Sequence, residues 1–423
     1  MARSSTVSSI EIVHPVPVDE ASAWAAAMAM TFLEDPSPDA HPASDEARRR
    51  DWSADRRWGA RSAGRWVGTL AALDRSVTVP GGELAVDALS MVTVAATHRR
   101  RGVLRSMLTD SLHAARDRGD AASVLIAAEW PIYGRFGYSP AETTAWYALN
   151  PRLPGASVAP ADADAVRQAD VVEVAGLAPA VFARARQLRA GNIDRPSSWW
   201  DRVLGMNGLA AEKVQGRVPT YVVHDGADDV DGYLAWVGTR PFDIDGSAGA
   251  IEVVDLCAAS DQAYRGLWVY LTGMDLIGAI VIKRRPIDEP LRWLLRDGRS
   301  LRQTNAADGV WLRLLDVARA LSARRYGVAD QLVIEVLDDA PGGYAAGRYL
   351  LEGGPDGASC VPTSTLGGDL ALDQRVLASS YFGGFSLAQQ AHRNLVDEHT
   401  PGATARFDAL FATRLAPWCA TNF

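Results

Sequence analysis

Three consecutive arginines, Arg99 to Arg101, stand directly before Gly102 and an apolar-periodic stretch that begins at Val103. If a helix begins there, cations are unfavourable, because a helix N-terminus carries partial positive charge. An anion is favoured at the same place. The first N–H groups of a helix have no intrahelical acceptor, and together with the dipole they can cradle a phosphate. A glycine without Cβ lets a pyrophosphate reach the main chain, and arginines around it add charge-assisted bonds. The alternative is a solvated basic turn with glycine kept for packing, and the residues alone leave both open.

A second group of candidates surrounds this one. "PIYGRFGYSP" sets Tyr133 and Tyr138 in a turn-rich loop behind an apolar run. A phenol there is either a proton donor or part of a packed aromatic turn with a satisfied hydroxyl. Glu34 and Asp35, in "TFLEDPSPD", are either loop acids or the lining of an amine site. Trp24, Phe32, Trp130 and Trp418 could wall such a site, although core packing is the commoner use of each. His98 is a base, a cap or a solvent-facing side chain. Glu129 could meet an amine through water. The chain end, "APWCATNF", is apolar, whereas most termini are polar and frayed, so docking of the last segment is expected.

These residues need elements to position them. "IEIVHPV" reads as a first strand and Asp19 to Leu33 as a helix. The stretch from Arg57 to Val94, broken by glycines and Pro-Gly-Gly, has an antiparallel pattern. From Val103 to Arg118 a helix is expected, with Leu104, Met107, Leu108, Leu112 and Ala115 on one face and Gly119 as its stop. Ala122 to Trp130 reads as a buried strand. Asn150 to Val166 carries three prolines and a glycine and marks a boundary. Beyond it the plan of strand, polar loop, Arg-Gly and helix recurs in "AIEVVDLCAASDQAYRGLWVYLTGMDL", a diverged internal duplication. That copy keeps Arg265 and Gly266 but has Gln262, Ala263 and Tyr264 before them, so its anion grip should be weak or lost. A second boundary falls near Lys283 to Trp293. The last segment, with a helix over Leu314–Arg325, strands and two further helical stretches (Leu370–Phe382 and Ser386–Val396), is α+β. The reading is α/β followed by α+β, in three regions: 1–155, 156–290 and 291–423.

The 423 residues are 48 % hydrophobic and 22 % charged, with a formal net charge of −8. No global basic field argues for nucleic acid or an anionic membrane. Cys257, Cys360 and Cys419 are far apart and show no metal-ligand spacing, so no metal is expected, and a reducing compartment suits them. No run approaches the ~18 apolar residues of a membrane helix, and no secretory h-region precedes the first strand. A cytoplasmic protein is expected.

Arg99-x-x-Gly102 behind an apolar strand resembles motif A, Q/R-x-x-G-x-G/A, of the GCN5-related N-acetyltransferases (GNAT), with Leu104 in the place of the last small residue. The longer string "VTVAATHRRRGVLRSML", with "IYGRFGYSPA" behind it, resembles the Eis (enhanced intracellular survival) aminoglycoside acetyltransferase branch over the whole chain, with Ala96 where proline is frequent. The resemblance implies two GNAT-like regions, the second degenerate, and then a sterol-carrier-protein-like domain whose C-terminus reaches the active site. It implies acetyl-coenzyme A as co-substrate, held by main-chain atoms of Val92 and Val94 and by the turn Arg99, Arg100, Arg101, Gly102 and Val103. It makes Tyr133 the general acid and the α-carboxylate of Phe423 the general base, with Glu34, Asp35 and Trp24 toward a polycationic small-molecule amine, and it implies a homo-hexamer. Two other functions stay open: a non-catalytic lipid or small-molecule carrier or scaffold, and lysine acetylation on peptides or proteins.

Overall fold

The Gly-broken run before the arginines folds as the antiparallel strands Arg57–Ser62, Arg65–Val79 and Gly82–Val94, the last two closed by Gly81 at φ +76. The computed structural model describes residues 9–37, 53–159, 165–204, 219–242, 248–390, 392 and 394–423. The helix Val103–Arg118 buries Val103, Met107, Leu108, Leu112 and Ala115 and ends at Gly119, φ +87. This is the expected face, except that Leu104 is only partly buried. The apolar run after it is strand only over Ala122–Ile126 and then gives way to a short helix, Trp130–Tyr133, started by Pro131.

Among the described residues the first sheet has seven strands, in the order Ile10–Val13, Arg57–Ser62, Arg65–Val79, Gly82–Val94, Ala122–Ile126, Val310–Leu314, Ser139–Pro140. A second sheet of seven runs Leu301–Asp308, Thr143–Leu149, Ile277–Pro286, Gly249–Ala258, Val230–Arg240, Thr220–Asp225, Val166–Ala169. The two units therefore exchange strands. Thr143–Leu149 leaves the first unit to pair between Ile277–Pro286 and Leu301–Asp308, while Val310–Leu314 returns to pair with Ala122–Ile126. Boundaries drawn at 155 and 290 do not separate the sheets, because a boundary read from prolines is local and the strand pairing is not. The boundary stretch itself carries the isolated bridge Val158↔Leu295, and its residues 160–164 lie outside the described ones.

Among the described residues the third unit has a five-stranded sheet and, among its helices, Val317–Ser322, Gln374–Ser380 and Ala403–Phe411. The helix expected over Leu314–Arg325 begins only at Val317, since Leu314 is the last residue of a buried strand. The helix expected over Leu370–Phe382 begins with a strand, Leu370–Asp373, and the Asp373 side chain caps the helix Gln374–Ser380 behind it. In Ser386–Val396 only Leu387–Gln390 is helix, and residues 391 and 393 lie outside the described ones. One apolar cluster joins first-sheet residues such as Val77, Val124 and Leu312 to Ile334, Phe407 and Cys419, so the first and third units share a core. No described helix is long and apolar enough to cross a membrane.

Candidate active site

The site lies where two parallel strands part. Gly82–Val94 and Ala122–Ile126 pair from Val86↔Ala122 to Leu89↔Leu125 and no further. Beyond that point Met91 takes φ +54 in a bulge. The Thr69 hydroxyl fixes the bend by donating to Met91 O at 2.7 Å, and it lies 2.6 Å from Thr93 Oγ1. Ala95 N–H donates to Val67 O at 2.8 Å. Hydrogen-bonding direction alternates along a strand, so the N–H and C=O of Val94 face the opening notch. A cavity of about 750 Å³ fills that notch, within the range of ligand sites.

One wall is the arginine turn. Arg100 has φ +62 and Gly102 φ +81, and two left-handed residues in three curl the main chain sharply, a conformation costly for a non-glycine residue. Gly102 is the N-cap of the helix and offers no side-chain cap. A Cβ built on it would meet nothing within 4 Å, so its backbone is open to a ligand. Arg99 and Arg100 line the cavity and make no ion pair or hydrogen bond with a described residue. An uncapped helix start, an open glycine and these two cations fit a pyrophosphate group.

The opposite wall carries Tyr133. Its ring is buried, lines the cavity, and meets Tyr138 edge-on at 6.2 Å. The hydroxyl makes no hydrogen bond with a described residue. Burial, and secondarily the Glu129 charge, push it up to about 12, so the phenol stays protonated and remains a donor. Tyr138 is committed elsewhere. It donates to Ser123 Oγ at 2.7 Å, Ser123 donates to Asp87 O at 3.0 Å, and Arg118 pairs with Asp87 at 2.7 Å.

Of the residues singled out from sequence, Val92, Val94, Arg99, Arg100, Gly102, Val103 and Tyr133 are gathered around this one cavity. Arg101 is exposed on the same turn without lining it. Trp24 does not reach the cavity: it is buried in a satellite core and donates to Trp58 O at 2.9 Å. Glu34 and Asp35 are exposed just past the helix Ala21–Thr31, and Asp35 accepts from Ser37 N–H at 2.9 Å. Thr31 and Phe32 from that helix end line the cavity instead. Phe423 is not among the lining residues and packs half-buried against the shared core. His98 lines the cavity, bonded to its neighbour Thr97 at 2.9 Å. Sequence reasoning missed Leu104, Arg105 and Arg135 as lining residues. The helical period was the available signal for Leu104 and Arg105, which sit on the first turn facing the notch.

The second copy differs at each of these points. Gly249–Ala258 and Ile277–Pro286 also pair in parallel, and also only part-way, from Gly249↔Ile277 to Val253↔Ile282. Their helix, Asp261–Thr272, is capped by its own Ser260, which accepts from Ala263 N–H at 3.0 Å. Arg265 and Gly266 do not form a turn before this helix but lie inside it. Gly266 serves packing, since a Cβ there would meet His224 at 2.7 Å. Trp418, near the chain end, donates to Arg284 O at 3.0 Å where the strands part, and lies over the Arg285 guanidinium at 4.8 Å. Trp418 lines two smaller cavities, of about 170 and 240 Å³.

The chain is similar to known proteins over nearly its whole length. Models described as acetyltransferase (GNAT) domain match residues 13–141 and 191–314, and a sterol carrier protein domain model matches 317–420. An uncharacterized N-acetyltransferase of Streptomyces griseus is 38 % identical over 419 residues, covering 97 % of this chain and 99 % of its own. The N-acetyltransferase Eis of Mycobacterium tuberculosis is 33 % identical over 365 residues, 84 % of this chain and 86 % of its own. The crystal structure of Eis1 from Mycobacterium abscessus superposes with a TM-score of 0.83 at 31 % identity, over 98 % of this chain and 100 % of that one.

Proposed function

Because the chain belongs to the Eis-type GCN5-related N-acetyltransferases, and is an acyl-coenzyme A-dependent acetyltransferase, we propose that it transfers acetyl from acetyl-coenzyme A to amines of a polycationic, aminoglycoside-like small molecule. One observation carries the chemistry: a single cavity sets the Arg99–Gly102 turn against the buried, protonated Tyr133.

When bound, acetyl-coenzyme A supplies an activated thioester. Arg99, Arg100 and Arg101 hold the pyrophosphate with the N–H groups of Gly102 and Val103. Main-chain atoms of Val92 and Val94 align the pantetheine arm along the unpaired strand edge. The Val94 N–H is a donor for charge that develops on the acyl oxygen. Tyr133 gives a proton to the departing sulfur, whose thiol has an ordinary pKa near 8.5. The Phe423 carboxylate, which stands outside the cavity lining, takes the proton of the attacking amine through water and attracts the ammonium form. Glu34 and Asp35 meet further ammonium groups, while Trp24 supports the helix that presents Thr31 and Phe32. Family membership is also the ground for a homo-hexamer, which sedimentation velocity tests.

Incubating the protein with acetyl-coenzyme A and a panel of aminoglycosides, polyamines and lysine peptides should release free thiol, fastest with an aminoglycoside. No release with any amine overturns the activity, and release with peptides alone redirects the acceptor to protein lysines. Tyr133→Phe should cut kcat about 10²-fold. Deleting Phe423, or extending the chain beyond it, should lower kcat with the fold intact, and wild-type rates from both refute the carboxylate role.

A further inference from the structure

The turn behind Tyr133 is held by side chains from far along the chain. Residues Gly134–Phe136 form a 3-10 turn that leaves through Gly137 at φ +81. Phe136 O accepts from Arg313 Nη1 at 2.5 Å, and Gly137 O accepts from Gln374 Nε2. Arg313 belongs to the exchanged strand Val310–Leu314, and Gln374 opens the third-unit helix Gln374–Ser380. Both are fully enclosed, at 0 % and 1 % exposure. Arg313 makes no ion pair with a described residue. Its Nη2 donates instead to Pro341 O in the third unit at 2.7 Å, and its guanidinium lies 5.0 Å from the Tyr344 ring. The approach is tight: a Cβ on Gly137 would stand 2.8 Å from Gln374 Nε2 and 3.3 Å from Arg313 Nε.

A buried guanidinium without a carboxylate is expensive to keep. This one is spent on two carbonyls, one of them in the turn that carries the candidate acid and the other in the third unit. We infer that Arg313 and Gln374 are positioning residues for acetyl transfer: they clamp the Tyr133 turn from the exchanged strand and the third unit, so that the phenol keeps its place against the cavity. The third unit thereby acts on the reaction by a route separate from its C-terminus. The inference rests on Tyr133 being the acid. Catalytic geometry is sensitive to such supports, since a shift of about 1 Å can cost about a hundredfold in rate.

Gln374→Met keeps the volume and removes the donor. We expect kcat to fall about tenfold with the KM for acetyl-coenzyme A little changed, because the arginine turn is untouched. The charged and titratable groups that face Tyr133 are Glu129 and the Tyr138 hydroxyl beside it and, lining the same cavity, His98, Arg99, Arg100, Arg105 and Arg135. Since burial holds Tyr133 near 12, loosening its turn admits water and brings the alkaline limb of the kcat profile down toward the free phenol value of about 10. Ser379→Ala removes another contact between the same helix and the first sheet, the 2.7 Å hydroxyl pair with Ser139, and should leave both readouts at wild type. If Gln374→Met does not fold, Arg313→Lys, whose single ammonium cannot span both carbonyls, carries the same test. Unchanged kcat and pH profile overturn the inference, as does an equal loss in Ser379→Ala. Tyr133→Phe separates the failures. If it leaves kcat unchanged, the acid is misassigned. If it lowers kcat while the clamp variants do not, only the clamp is wrong.

Discussion

The two acetyltransferase-like units use one scaffold to opposite ends. Each has a pair of parallel strands that part half-way, with a helix beginning beside the gap. In the first unit the helix opens on Gly102 with no cap, Arg99 and Arg100 stand without a described partner, and the gap stays open as a cavity of about 750 Å³. In the second, Ser260 satisfies the helix from within, Asp261 brings negative charge to its first turn, and Trp418 lies in the gap. An N-terminus already capped by its own serine, with an acid beside it, has little left to offer a phosphate. The notch is therefore generic, and the ligand chemistry lies in the few residues that leave it open or close it. The expectation that follows from the contrast is one coenzyme A site per chain, which the binding experiments below count.

The sharpest way to break this comparison is to give the first unit the second unit's charge. Gly102→Asp keeps a residue type that tolerates the left-handed conformation but puts a carboxylate where the pyrophosphate should lie. Coenzyme A affinity by calorimetry should fall about a hundredfold, the cost of setting like charges together in place of charge-assisted bonds. A change under about threefold would mean that the anion sits elsewhere. Arg100→Ala should weaken binding by roughly tenfold, one charged hydrogen bond, with less effect at high salt.

Of the candidate site, the arginine turn and Tyr133 were legible because they are local, whereas Trp24, Glu34, Asp35 and Phe423 do not line the cavity. Strand, arginine turn, glycine and helix succeed one another between Val92 and Val103, and Tyr133 lies in the next loop, so spacing and period place them. What escaped is what the chain brings from far away. Val310–Leu314 has no period-two alternation, because all five of its residues are buried, and its partners lie far upstream. Arg313 and Gln374 look like ordinary surface residue types in sequence. The second copy misled differently. Matching Arg265-Gly266 to Arg101-Gly102 put the glycine before the helix, whereas it packs inside it against His224. Ser260, with an acidic first turn behind it, was the readable start signal.

Trp418→Ala tests what fills the second notch. Removing this half-buried ring, with its bond to Arg284 O, should destabilise the chain by about 1–3 kcal/mol, the usual range for such a loss. Coenzyme A stoichiometry should stay at one per chain. A second equivalent bound would show that the tail, and not the capped helix, had been closing a competent site.

The smallest effect isolates the cap. Ser260→Ala frees the Ala263 N–H and should cost about 1 kcal/mol of stability, the ordinary worth of an N-cap, read as a shift in denaturant midpoint with an unchanged slope. It should create no coenzyme A site, because Asp261 still faces any incoming anion and Trp418 still lies between the strands. The double variant with Trp418→Ala is the informative one. If the two stability losses add and no second site appears, cap and tail stabilise the second unit independently, and its failure to bind lies in its first-turn charge, Asp261 in place of the missing arginines. If the double variant binds coenzyme A weakly, the second unit has lost its ligand by being closed and not by losing its cations.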